Sequence, residues 1–190
     1  MDKELKISID DARKAFNQAD EKGKMLLTGL FGAEVFKPKD IMDRIKTFDD
    51  AYNELGKDHP LIIEYEAMMN AQGYTPSVFM IAVMKLSIIS AALNEGWKPQ
   101  YTSDEWRYMP YFYLYTKEEW DELTDEQKSY GVYFGGSAAN GARDGFVYAR
   151  SISAPSGASA IIGSRLCLKS STLARYSGKQ FIEIWKDFIL

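Results

Sequence analysis

One cysteine and one histidine stand among 190 residues, and each scarcity closes off chemistry. Cys167 alone rules out an intramolecular disulfide. With His59 as the only imidazole, a Ser-His-Asp or Cys-His system has one residue on which to rest, and a zinc site lacks its usual three or four nitrogen and sulfur ligands. Long apolar runs are missing as well. The longest, Ser77 to Leu93, has 17 residues and includes Lys85 and three serines, which predicts a buried helix and no membrane span. Met1 to Ile9 lacks the basic start and apolar run of a signal peptide, so the expected location is the cytoplasm. Acidic residues are plentiful, yet no EF-hand spacing or grouped carboxylate motif occurs, so neither a metal nor a cofactor is expected.

What is present describes an ordinary globular chain, 46% hydrophobic and 26% charged, long enough for one full core. The net charge of -4 is unevenly placed. Residues 1 to 129 carry 16 Lys+Arg against 24 Asp+Glu, a net of -8, and residues 130 to 190 carry 7 against 3, a net of +4. An anionic partner would therefore meet the last third.

The pattern predicts a helical part over residues 1 to 98. Ser8 and Asp11 start a helix whose seam runs Ala12, Phe16, Ala19, Gly23, Leu26, Leu30 to a stop at Gly32, as one helix or as two broken at Gly23. Ile41 to Leu55 follows, with Thr47 and Asp50 able to restart it. A third helix opens at His59-Pro60 and closes at Gly73. The fourth, from Thr75-Pro76 to Gly96, is apolar all round and belongs at the centre.

From Tyr101 the character changes to α+β. Trp106 to Tyr115 reads as a strand that Pro110 confines to an edge or a bulge. Two capping boxes, Thr116 with Glu119 and Thr124 with Gln127, mark one interrupted helix or two short ones. Gly131 to Phe134, Phe146 to Ser153 and Ala160 to Lys169 are the other expected strands. In the last of these, Arg165, Cys167 and Lys169 alternate with inward Leu166 and Leu168. A terminal helix capped by Ser170 or Ser171 should bury Leu173, Phe181, Ile184 and Phe188. The expected fold is thus α+β in a single domain: about four helices, then an antiparallel sheet of about four strands and a terminal helix.

Two motifs come close to known catalytic loops and fail. Gly163 to Ser170 matches G-x-x-x-x-G-K-S except that Leu168 replaces the second glycine, which must let the backbone fold around a phosphate. Gly135-Gly136-Ser137-Ala138-Ala139 lacks the final glycine of a nucleophile elbow. No catalytic residue is assigned, and an enzyme of unknown type ranks behind two binding readings. In the first, Arg143, Arg150, Arg165 and Lys169, with Ser170 and Ser171 at a helix start, hold nucleic acid or a nucleotide. Tyr111, Tyr113 and Tyr115 share one face of their strand with Arg107; exposed, that face would stack bases or sugars, and covered, it would merely pack. In the second, the small-residue seam of the first helix and the apolar C-terminal end serve protein-protein contact, self-association or a virion-associated structural role.

The stretches DRIKTFDDAYNELG at 43 to 56, AALNEGWKPQ at 91 to 100, the aromatic run through Tyr115, and GSRLCLKSSTLARYSGKQFIEIWKDF at 163 to 188 are together similar to a family of small proteins encoded by phages and prophages of Bacteroides and relatives. The resemblance covers almost the whole chain. It implies a phage-derived accessory protein acting in the cytoplasm of a bacterial host, and it transfers no catalytic or binding residue. Between Gly135 and Gly163 it offers no fixed pattern.

Overall fold

A computed structural model describes residues 6–100, 102, 104–133, 145–155 and 166–190. The chain divides into two compact units, Met1–Arg44 and Ile45–Leu190. In the first, α1 (Ile9–Gln18) and α2 (Glu21–Phe31) are separate helices, followed by a 3-10 turn (Ala33–Phe36) and a single turn, α3 (Ile41–Arg44). The break falls at Ala19, ahead of Gly23. Asp20 takes a cap position there and its carboxylate accepts from the Gly23 N–H at 2.8 Å, so the chain restarts on a good cap rather than failing on a poor helix former. Gly23 keeps that cap close, since a β-carbon on it would lie 2.9 Å from the Ala19 β-carbon. Phe16 stacks on Phe36 with ring centroids 4.2 Å apart, and Phe31 meets the same ring edge-on.

The second unit begins with α4 (Phe48–Leu55), where Thr47 and Asp50 form a reciprocal capping box that restarts the chain after α3. Asp50, hydrogen-bonded first by Thr47, has its carboxyl held below the ordinary range. In α5 (Pro60–Met69) the His59 ring caps the helix, its Nδ1 accepting from the Leu61 N–H. The apolar helix α6 (Val78–Leu93) packs against α4 and α5 and, from the far end of the chain, against α10 (Ile182–Ile189). Leu86, Ile88, Ile89 and Leu93 are fully buried, whereas Val78, Phe79 and Met80 in its first turn are exposed, so the centre of the core is the second half of this helix.

The sheet is antiparallel and three-stranded, in the order β1 (Trp106–Tyr115), β3 (Gly145–Pro155), β2 (Gly131–Tyr133). Register runs from Trp106 opposite Pro155 to Tyr115 opposite Gly145, with a bulge where Tyr111 faces Arg150 and Phe112 faces Tyr148. Pro110 therefore lies on an edge strand, where its missing N–H is tolerated. Two short helices, α7 (Lys117–Asp121) and α8 (Asp125–Lys128), each open on a capping box. Trp120 of α7 lies over Gly131 and Gly145; a β-carbon on Gly145 would come within 2.4 Å of the indole.

Of the expected fourth strand, residues 160–165 lie outside the described residues, and Leu166 to Lys169 forms only an isolated bridge, Leu168 to Tyr108, closed by hydrogen bonds of 2.8 and 3.1 Å. The expected alternation is overturned there. Leu166, Cys167 and Leu168 are all buried, because the segment is gripped on two sides: by β1 through Tyr108 and by α6 through the buried Asn94. The Asn94 amide donates to the Cys167 carbonyl at 2.9 Å and accepts from the Lys169 N–H at 3.0 Å, acting as a substitute strand.

The terminal helix is two helices, α9 (Ser171–Gln180) and α10, broken at Phe181, whose backbone leaves the helical region at φ -113° and ψ 32°. That break alters the inward set. Leu173, Ala174, Ser177, Phe181 and Trp185 are buried, Ile184 and Phe188 only half-buried, and Ile189 and Leu190 are exposed. The Trp185 indole donates to the Ser177 hydroxyl at 3.2 Å, tying the two helices together.

Candidate functional site

The tyrosine row of β1 faces outward. Tyr111 is 37% and Tyr113 44% exposed, and Tyr115 is half-buried. Neighbouring rings meet edge to face, Tyr111 with Tyr113 at 5.4 Å and Tyr113 with Tyr115 at 6.2 Å. Burial raises the Tyr115 hydroxyl above its ordinary pKa, which keeps it a neutral donor. The exposed Arg150, opposite Tyr111 across the bulge, holds its guanidinium 5.1 Å from the Tyr111 ring. Sequence spacing brings the three tyrosines together, and the register adds Arg150 to them.

Arg107 does not join this face. It has the same strand parity but is buried, at the end of β1 where Leu166 to Lys169 covers the strand. Its guanidinium bonds the Cys167 thiol, a contact that lowers the thiol pKa less than burial raises it. Lys169 is engaged by Glu95 at 2.9 Å, and the Ser170 hydroxyl caps α9 by accepting from the Leu173 N–H. Ser171 is exposed in the first turn. Arg143 and Arg165 lie outside the described residues, as does the Gly135 to Ala139 loop. The helix start singled out in the sequence is thus an internal joint: its lysine neutralises a carboxylate at the end of α6, and its serine satisfies a backbone donor.

A cleft of about 270 Å³ adjoins the tyrosine row, with Tyr113 and Tyr115 in its wall. Tyr130, Tyr148, Gln127 and Lys179 also line it, with Glu126, Val147 and Ala149. The Lys179 ammonium lies 3.2 Å from the Tyr130 ring centre and 5.7 Å from that of Tyr148. Burial raises the Tyr148 hydroxyl, and Arg175, which hydrogen-bonds it, partly opposes that rise. None of Tyr130, Tyr148, Gln127 and Lys179 is legible as a site from the sequence, because they come from three separate elements with no shared spacing. The one local signal is the basic excess of the last third, to which Arg175 and Lys179 belong. A second cleft, of about 350 Å³, is walled by Phe112, Leu114, Phe146, Ile152, Trp185 and Phe188 and is almost wholly carbon.

Among the described residues, no group of three His, Cys, Asp or Glu side chains could hold a metal ion, and no helix is long and apolar enough to cross a membrane. His59 uses its Nδ1 to cap α5, accepting from the Leu61 N–H at 3.2 Å. No protein-family model matches the chain, and neither a curated protein nor a solved structure matches it significantly.

Proposed function

We propose that this chain is a non-enzymatic accessory binding protein of phage or prophage origin, working in the bacterial cytoplasm, that holds single-stranded nucleic acid along the tyrosine face of β1. The observation that carries the reading is the pairing of exposed Tyr111 and Tyr113 with Arg150 above the first ring. Rings of this kind stack bases without regard to sequence, and a guanidinium beside them meets the phosphate that follows each base. The phage origin is supported by the resemblance of residues 43 to 56, 91 to 100 and 163 to 188. The test is fluorescence anisotropy of a labelled oligonucleotide. Its log affinity should fall with log salt at a slope of about -0.7 per phosphate engaged. Tyr111→Ala should cost about 1 to 3 kcal/mol of binding. Affinity that does not change between low and high salt overturns the reading.

A second reading, self-association or protein-protein contact, is favoured by α2. There Met25, Leu26 and Leu30 are 76%, 65% and 68% exposed, and together they form one apolar stripe at helical spacing. Light scattering decides it: a mass above the monomer that Leu26→Glu returns to the monomer supports the contact, and a strict monomer at all concentrations removes self-association.

A further inference from the structure

The cleft beside the tyrosine row has a different chemistry from the row itself. Tyr113, Tyr115 and Tyr130, the buried Tyr148, and the small apolar Val147 and Ala149 line it, and its cation is Lys179, held against the Tyr130 and Tyr148 rings. Arg175, hydrogen-bonded to the Tyr148 hydroxyl, lies one helical turn before Lys179 on α9, outside the lining of the cleft. Gln127 spends its carbonyl oxygen on the Thr124 cap, accepting at 2.9 and 3.0 Å, and so brings amide donors to the cleft. Glu126 contributes an acceptor. The part-exposed rings of Tyr113 and Tyr115, a cation, a donor and an acceptor are the complement of a nucleotide: a π-face to stack, an anionic group, and polar edges or sugar hydroxyls to read. At about 270 Å³ the cleft is at the small end for ligand pockets, which suits one such unit and not a run of them.

We infer that this cleft is a mononucleotide site, taking one nucleotide with its base among the tyrosines and its phosphate toward Lys179. The inference rests on the nucleic-acid reading of the adjoining row, since Tyr113 and Tyr115 belong to both: the row carries the strand and the cleft seats one of its units. The phosphate defines the ligand more sharply than the base does, because stacking on tyrosine accepts any base whereas the ammonium pairs more strongly with a phosphate than with an uncharged ring.

The experiment is isothermal titration of the full chain with a nucleoside 5'-monophosphate, with the matching nucleoside, and with an oligothymidylate. The monophosphate should bind at least tenfold more tightly than the nucleoside. Lys179→Gln should remove that preference, and Lys179→Arg should keep it. Tyr111→Ala should weaken the oligonucleotide and leave the monophosphate unchanged. An oligonucleotide that binds while the monophosphate neither binds nor competes overturns the cleft and leaves the row standing. A monophosphate that binds in a chain indifferent to the oligonucleotide upholds the cleft and removes the row. Binding of neither overturns both. If Lys179→Gln unfolds the chain, the ratio of monophosphate to nucleoside affinity on the unaltered protein decides the matter alone.

Discussion

The Cys167 thiol lies 3% exposed between β1 and α6, and burial raises its pKa although Arg107 beside it pulls the other way. Strict alternation along residues 165 to 169 predicts that this side chain faces solvent. It does not, because that face of the segment is itself covered, with the buried Arg107 guanidinium against the thiol. Thiols react as thiolates, so the residue should be inert in the folded protein. A thiol reagent added at neutral pH should modify it at least 100-fold more slowly than in the denaturant-unfolded chain, at a rate that follows local or global opening. Prompt modification of the native protein would mean that the segment is not gripped as described. Lys169 repeats the lesson at the neighbouring position: its charge is legible in the sequence, but its partner Glu95, 74 residues earlier in the chain, is not.

Among the elements, those written in local code are readable and those fixed by tertiary contact are not. The boxes at Thr47, Thr116 and Thr124 are each a four-residue message, and each starts a helix where the sequence places one. The break between α9 and α10 carries no such message, and the expectation of one continuous helix with Ile184 and Phe188 inward fails there. Glycines make the same contrast measurable. In α9, a β-carbon on Gly178 would fall 2.5 Å from the Tyr148 ring and 2.7 Å from Pro110, so helix and sheet touch through the missing side chain. Gly29 in α2 has nothing within 4 Å. Alanine improves helix propensity by roughly 1 kcal/mol at either site. Gly29→Ala should therefore stabilise by about 0.5 to 1 kcal/mol, whereas Gly178→Ala should lose about 1 to 3 kcal/mol to overpacking. Urea denaturation of the two variants measures both, and equal effects would mean that α9 does not rest on β3 as closely as described.

For the molecule as a whole, the α+β class and the helical first part are legible in periodicity and turn chemistry. Pro110 marks β1 as an edge or a bulge, and spacing puts the three tyrosines on one face without deciding whether that face is covered, which only the packing shows. Assembly of the site is not legible. Arg150 meets Tyr111 through a bulge, and Lys179 meets Tyr130 through the packing of α9; neither follows from spacing within one element. The basic excess of the last third does not separate cations spent inside the fold from those at the surface clefts. Lys169 is consumed internally, while Lys179, which carries no motif, lies in the cleft.

Asn94 gives the molecule a clock. Its two hydrogen bonds join positions 73 and 75 residues apart, and closing so long a loop is among the slowest steps open to a small chain. Contacts that close so long a loop are expected to form after the main barrier, which would place their loss on the unfolding side. Asn94→Ala leaves a buried carbonyl and a partly buried N–H without their partner, a cost of about 2 kcal/mol that should fall on the unfolding limb of the chevron. Unfolding should accelerate roughly 30-fold with refolding nearly unchanged, as stopped-flow mixing in urea would record. How long each copy stays folded then depends on one amide at the end of α6 as well as on the oily centre of that helix.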